Sequence, residues 1–297
     1  MNKGIMKALV CCVTLLLLIT GCSSSQETVQ PNTESESKSK SKNRIVASTV
    51  AITEIMDVLE LDLVGIPDTY KKLPERYKDA ANVGFVKNPD LEVIKSLHPT
   101  EVLNVSTLEY DLKPIYENAG IEATFLNLDS LGKMEQTILS LGEKYDRNEQ
   151  AKGMVSKMDD KVEEIKKLVA EKEKPTVLIL LGIPGSYLVS TENSYIGDIA
   201  RICGAVNVVQ GEKVEYIGTN TEFLQQTNPD IILRAAHGVP DDVVKMFDKE
   251  FKENDIWKHF DAVKNGRVYD LEEEIYGTTG NLAATEALDE MMKMLYE

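Results

Sequence analysis

Between Lys144 and Lys174 the chain contains no proline and a single glycine, Gly153. Met154, Met158, Val162, Ile165 and Val169 recur there at steps of four and three, the spacing of one apolar stripe on a continuous helix. So long a helix in mid-chain must join two separately folded halves, and its methionines serve to pack them. On either side, short β-branched runs alternate with helical stretches, which predicts βα units and largely parallel sheets. Before the helix, strands are expected over 44–48, 62–66, 101–105 and 124–128, and helices over 52–61, 91–97 and 131–141. After it, strands are expected over 176–181, 186–189, 207–209, 230–234 and 267–271, with helices over 196–203, 222–226, 241–251 and 282–295. The fold class is therefore α/β: two Rossmann-like lobes with central, mostly parallel sheets (44–142 and 175–297), joined by one interlobe helix (143–174).

The first residues read as an address. Lys3 and Lys7 precede an apolar run from Ala8 to Ile19, too short to span a bilayer comfortably and typical of a signal peptide (1–21). It ends in Ile19-Thr20-Gly21-Cys22, which resembles the bacterial lipobox, where the cysteine thiol takes a diacylglycerol. Cleavage before Cys22 removes two lysines and deepens the formal charge from −16 to −18. Residues 22–43 hold seven serines after that cysteine and Val29 as the one aliphatic residue, so they form a lipidated flexible tether. The mature body is expected at the extracellular face of the bacterial cytoplasmic membrane, anchored through Cys22.

Charge and motifs remove whole function classes. With 33 basic against 49 acidic residues the surface repels phosphate backbones, so nucleic acid is not a partner. Of the four cysteines, Cys11, Cys12 and Cys22 belong to the export segment, which leaves Cys203 as a buried small hydrophobe. No Gly-x-Ser-x-Gly, His-Glu-x-x-His or P-loop pattern occurs, and no serine or cysteine partner can be named for a histidine base, so the chain does not read as an enzyme.

Ligands of open parallel sheets gather beyond the carboxyl ends of strands, and this sorts the three histidines. His237 follows a strand, while His98 and His259 precede strands and lie at the opposite edge. His237 is therefore the one histidine placed at the cleft, where a neutral imidazole can offer a lone pair to a ligand's metal. Strand-to-helix turns also present N–H groups suited to carboxylates, at Thr49, Val50 and Ala51 and, with an ammonium, at Thr69, Tyr70 and Lys71. Tyr187 and Tyr276, on loops of the second lobe, are candidates to pack on the flat face of a bound ligand.

With the lipobox, this layout resembles the class III solute-binding lipoproteins of ABC importers. The phrases at 70–78, 184–189, 194–198, 228–234 and 256–264 resemble the haem-receptor type from the iron-regulated surface determinant system. The resemblance covers the mature chain and implies the class III periplasmic-binding-protein fold, a monomer and capture of haem b (iron protoporphyrin IX) for an ABC permease with its ATPase. Upstream haem-carrier surface proteins are possible sources of that ligand. It also implies an axial methionine opposite the histidine, but Lys87 stands at that position, and a lysine amine is protonated unless burial lowers its pKa. Three alternatives stay open: five-coordinate haem on His237, a substitute sixth ligand such as Tyr110 or Met134, or another ligand such as a ferric siderophore. Glu92 and Glu222, each opening a cleft-edge helix, match the family's glutamates that dock to arginine pockets on the permease.

Overall fold

The computed structural model describes residues 43–218, 224 and 226–297. The export segment, Cys22 and Glu222 lie outside the described residues. In the first half, β1 (Ile45–Ala47), α1 (Val50–Val58) and β2 (Leu63–Ile66) lead to three short strands, β3 (Ala81–Asn82), β4 (Gly84–Phe85) and β5 (Asn88–Pro89). Then come α2 (Leu91–Ser96), β6 (Glu101–Val105), α3 (Glu109–Asn118), β7 (Ala123–Leu126) and α4 (Leu131–Lys144). Five of these strands form a parallel sheet in the order β3-β2-β1-β6-β7, and β4 pairs antiparallel with β5 as a separate hairpin.

After α5 (Asn148–Val169) the second half runs β8 (Thr176–Ile183), β9 (Ser186–Ser190), α6 (Tyr195–Ile202), β10 (Val206–Asn207), β11 (Tyr216–Gly218) and β12 (Ile231–Ala236). It closes with α7 (Pro240–Glu253), α8 (Asp261–Lys264), β13 (Val268–Leu271) and α9 (Ala284–Tyr296). The sheet order is β11-β9-β8-β12-β13, with β10 also beside β8. Here β9 and β11 run antiparallel to their neighbours, so the second sheet is mixed.

Local chemistry explains the element ends. Thr49, Asp90, Ser130 and Ser194 cap α1, α2, α4 and α6 by accepting a backbone N–H two or three residues into each helix. β12 is buried at all six positions, as expected of a parallel strand covered on both faces. Its one charge, Arg234, is neutralised by Asp270 and Asp248 at 2.7 and 2.9 Å and lies over the rings of Phe247 and Phe251. The helix expected over 143–174 spans 148–169, which still holds the whole apolar stripe but not the expected ends. Asp146 takes a left-handed φ of 57° and Arg147 N–H turns back to Gly142 O, so α4 ends and α5 starts afresh.

One apolar cluster extends from Ile45 and Leu103 of the first sheet, through Met154, Met158 and Ile165 of α5, to Ile179 and Leu233 of the second. Through α5 the two sheets share a core, which holds their strand ends at one cleft. Cys203 is free and buried in that core, and burial pushes its thiol up to about 12. Among the described residues no helix is long and apolar enough to cross a membrane.

Candidate functional site

The carboxyl ends of β1, β2 and β6 face those of β8, β12 and β13 across a cavity of about 630 Å³. Its apolar floor is supplied by Val105, Leu108, Leu181, Ile183 and Leu188. Polar groups ring this floor, which is the make-up of a small-molecule site. At the start of α1, the N–H groups of Val50 and Ala51 line the cavity and have no acceptor among the described hydrogen bonds, whereas the next N–H, of Ile52, is taken by Thr49 Oγ1 at 3.3 Å. Two unspent donors at the start of a helix, where its dipole is positive, therefore lie at the cavity wall.

His237 is the first residue after β12. Its backbone N–H continues the sheet by donating to Gly182 O at 3.0 Å, and Gly238 then turns the chain at φ +91°, a conformation side chains rarely adopt. The imidazole lines the cavity with its side chain 40% exposed. Nδ1 is buried, and its nearest acceptor is Glu273 Oε1 at 2.8 Å. The two atoms are within hydrogen-bonding distance, but the ring does not meet the angles of a hydrogen bond. With Nδ1 turned toward this carboxylate, Nε2 is the ring nitrogen left for the cavity.

Glu273 follows β13 by two residues, and its side chain is only 1% exposed. Burial alone would raise its pKa. The contact to His237, a hydrogen bond from Tyr70 OH, the Gly238 N–H at 3.1 Å and the Lys71 ammonium outweigh burial and hold it down to about 2. Lys71 Nζ also donates to Glu273 O at 3.2 Å. Tyr70 and Lys71 belong to the loop after β2, so the first half supplies two of the groups that hold the second half's carboxylate. The sequence reading missed Glu273, and the irregular stretch before α9 that adds Glu274, Gly277, Thr278, Thr279 and Asn281 to the wall. Only its turn-forming Gly277 and Gly280 signal a loop there.

The structure gathers Thr49, Val50, Ala51, Tyr70, Lys71, Lys87 and His237 around this one cavity. Lys87 sits on the two-residue turn between β4 and β5, with Val86 beside it and Lys72 nearby in the wall. That hairpin requires Gly84, where φ is +85° and a Cβ would come within 2.8 Å of Asp90 N.

Five expected residues fall elsewhere. Met134 is fully buried under α4 against Gly280, because its helix turns the thioether into the core. Tyr276 is buried, donating to Ala287 O at 2.8 Å. Tyr187 packs on Phe247 and Trp257 and bonds Glu250, on the other face of the second sheet. Tyr110 is 94% exposed on the first turn of α3, outside the cavity wall. Thr69 accepts the Lys71 N–H at 3.1 Å, so it shapes the loop without lining the cavity. His98 and His259 are exposed and distant from the wall. Glu92 is exposed in the first turn of α2.

Two α/β halves that share a helical spine and close a single cleft define a solute-binding protein, and residues 45–275 match the periplasmic binding protein family. The chain belongs to that family. It is 44% identical over 294 residues, 99% of this chain and 98% of the relative, to the high-affinity heme uptake system protein IsdE of Staphylococcus aureus (strain Newman). The crystal structure of S. aureus IsdE complexed with heme superposes with a TM-score of 0.84 at 46% identity, covering 86% of this chain and all of that one. An ABC transporter substrate-binding protein from Listeria monocytogenes EGD-e gives a TM-score of 0.81 at 57% identity, covering 86% of this chain and 98% of that one.

Proposed function

We propose that this chain is a receptor that captures haem in the interlobe cleft, holds its iron through His237 Nε2 and delivers it to an ABC permease. The observation that carries the reading is the pairing of His237 with Glu273. A buried carboxylate stands 2.8 Å behind Nδ1, an arrangement proteins use to orient metal-bound histidines. Among the described residues no three His, Cys, Asp or Glu side chains converge on a bare ion, whereas haem brings four donors of its own and needs only an axial one. The apolar floor suits a porphyrin face. The unspent N–H groups of Val50 and Ala51, with Lys71 at the same edge, suit its propionates and locally oppose the body's net negative charge. The relatedness to a heme uptake protein and to its heme complex supports the same ligand.

In this reading the chain is no enzyme. Cys22 carries a lipid that anchors the receptor outside the cytoplasmic membrane, residues 22–43 give it reach, and it works as a monomer, with upstream surface carriers as donors of haem. The halves meet the permease through Glu92, exposed on α2, and Glu222. A second reading, a ferric-siderophore receptor, draws on Lys71, Lys72 and Lys87, three ammonium groups in one cleft wall. Titration with haemin and with anionic ferric chelates, followed by tryptophan quenching, separates the two. Saturation by haemin at one equivalent with no response to the chelates supports haem, and the reverse selects the siderophore reading. Removal of both glutamates is expected to cut uptake while haem affinity stays intact.

A further inference from the structure

Glu273 has two oxygens, and they are divided between the two halves of the protein. Oε1 faces His237 Nδ1 at 2.8 Å and accepts Gly238 N–H at 3.1 Å, both from the second half. Oε2 accepts the Tyr70 hydroxyl, which arrives from the loop after β2 in the first half. Lys71, the next residue, holds the same glutamate's carbonyl at 3.2 Å. The Tyr70 side chain is largely exposed, and its one described hydrogen bond is to this carboxylate. A carboxylate that accepts a strong hydrogen bond on one oxygen has less negative charge to lend through the other.

We infer that Tyr70 is a positioning residue for the bond between His237 and haem iron: by occupying Glu273 Oε2 it limits the charge His237 draws from that carboxylate. This rests on the haem reading above. His237 then ligates as a neutral imidazole instead of one pushed toward imidazolate, and the iron bond stays exchangeable, as a protein that must give up its cargo requires. Glu273 supplies the negative charge behind Nδ1, and the opposite half of the protein moderates it. Second-shell hydrogen bonding of this kind is one of the levers that set haem potential.

The test is the ferric/ferrous midpoint potential of the haem-loaded protein, with the iron–histidine stretch of the ferrous form read in parallel by resonance Raman. In Tyr70→Phe, Glu273 is left to His237, so the midpoint moves negative and the stretch rises. Glu273→Gln removes the anion, so the midpoint moves positive and the stretch falls. A 3-fluorotyrosine placed at position 70 is a stronger donor than tyrosine and keeps its shape, so it moves the midpoint positive without risk to the fold. Opposite shifts in Tyr70→Phe and the fluorotyrosine protein support the inference, since loss of a merely structural contact does not change sign with donor strength. Unchanged midpoints in both, or shifts of the same sign, overturn it. His237→Ala serves as the separate control: if its haem spectrum equals that of wild type, the haem reading itself fails, and the inference with it.

Discussion

Replacing Glu273 by glutamine in the ligand-free protein is expected to reshape the acid limb of its stability. The buried carboxylate is held down to about 2 from an ordinary 4.5 by His237, Tyr70, Gly238 and Lys71 acting against burial. A group whose folded pKa is depressed contributes stability that is full above its unfolded pKa and is lost as the pH falls through the folded one. Here that window runs from about 4.5 down to about 2. At about 1.4 kcal/mol per tenfold in proton affinity, the contribution at neutral pH is about 3 kcal/mol. Because the cleft beside Glu273 is open to water, that figure is an upper bound. Urea unfolding at pH 7, and at steps between pH 5 and 2, measures it. Wild type should lose stability more steeply than Glu273→Gln across the acid window, and the two curves should converge at its lower end. Parallel curves would refute the reasoning, because they would mean that this carboxylate is not held as an anion by its neighbours.

Three further outcomes follow from the same structure. Burial, with Asp159 and Asp198 adding to it, raises Glu135 on α4 to about 7; the native state therefore binds its proton more tightly than the unfolded chain, and stability should fall as pH rises from about 4.5 to 7. Glu135→Gln should remove that slope in urea titrations. Met134→Ala leaves a cavity in the core and should cost roughly 2–5 kcal/mol in unfolding experiments while the haem Soret band keeps its position, whereas a displaced band would return Met134 to the cleft. Lys87→Met sets a thioether on the hairpin turn facing the cavity and should move the haem spectrum toward a six-coordinate His/Met form. An unaltered spectrum would show that this turn does not approach the iron.

Much of the architecture was written in local patterning, because strands such as β6, β8 and β12 are buried on both faces and read as continuous β-branched or aliphatic runs. What escaped was polar or interrupted. Helix α3 carries Pro114 inside it and buries only Leu112 and Tyr116, so neither its periodicity nor its propensity announces it. The break between α4 and α5 depends on the φ of Asp146, which the apolar stripe does not encode. In the site, the rule about strand ends placed His237 correctly at the cavity wall but could not separate Tyr70, Tyr187 and Tyr276. All three lie near strand ends, and their fates depend on helices packed from distant sequence. Glu273 was illegible for a stronger reason: its partners Tyr70 and Lys71 lie some two hundred residues earlier, and nothing around it marks it apart from Glu272 and Glu274.

The role proposed for His237 is to present Nε2 to haem iron from a position backed by the Glu273 carboxylate in the cleft. Its most direct test is the Soret titration of ligand-free protein with haemin, wild type against His237→Ala. We expect a protein-dependent Soret band saturating at one equivalent in wild type, and in the variant a displaced band with at least tenfold weaker binding, the loss corresponding to about 1.4 kcal/mol or more. Identical band position and affinity in the two proteins would contradict the account.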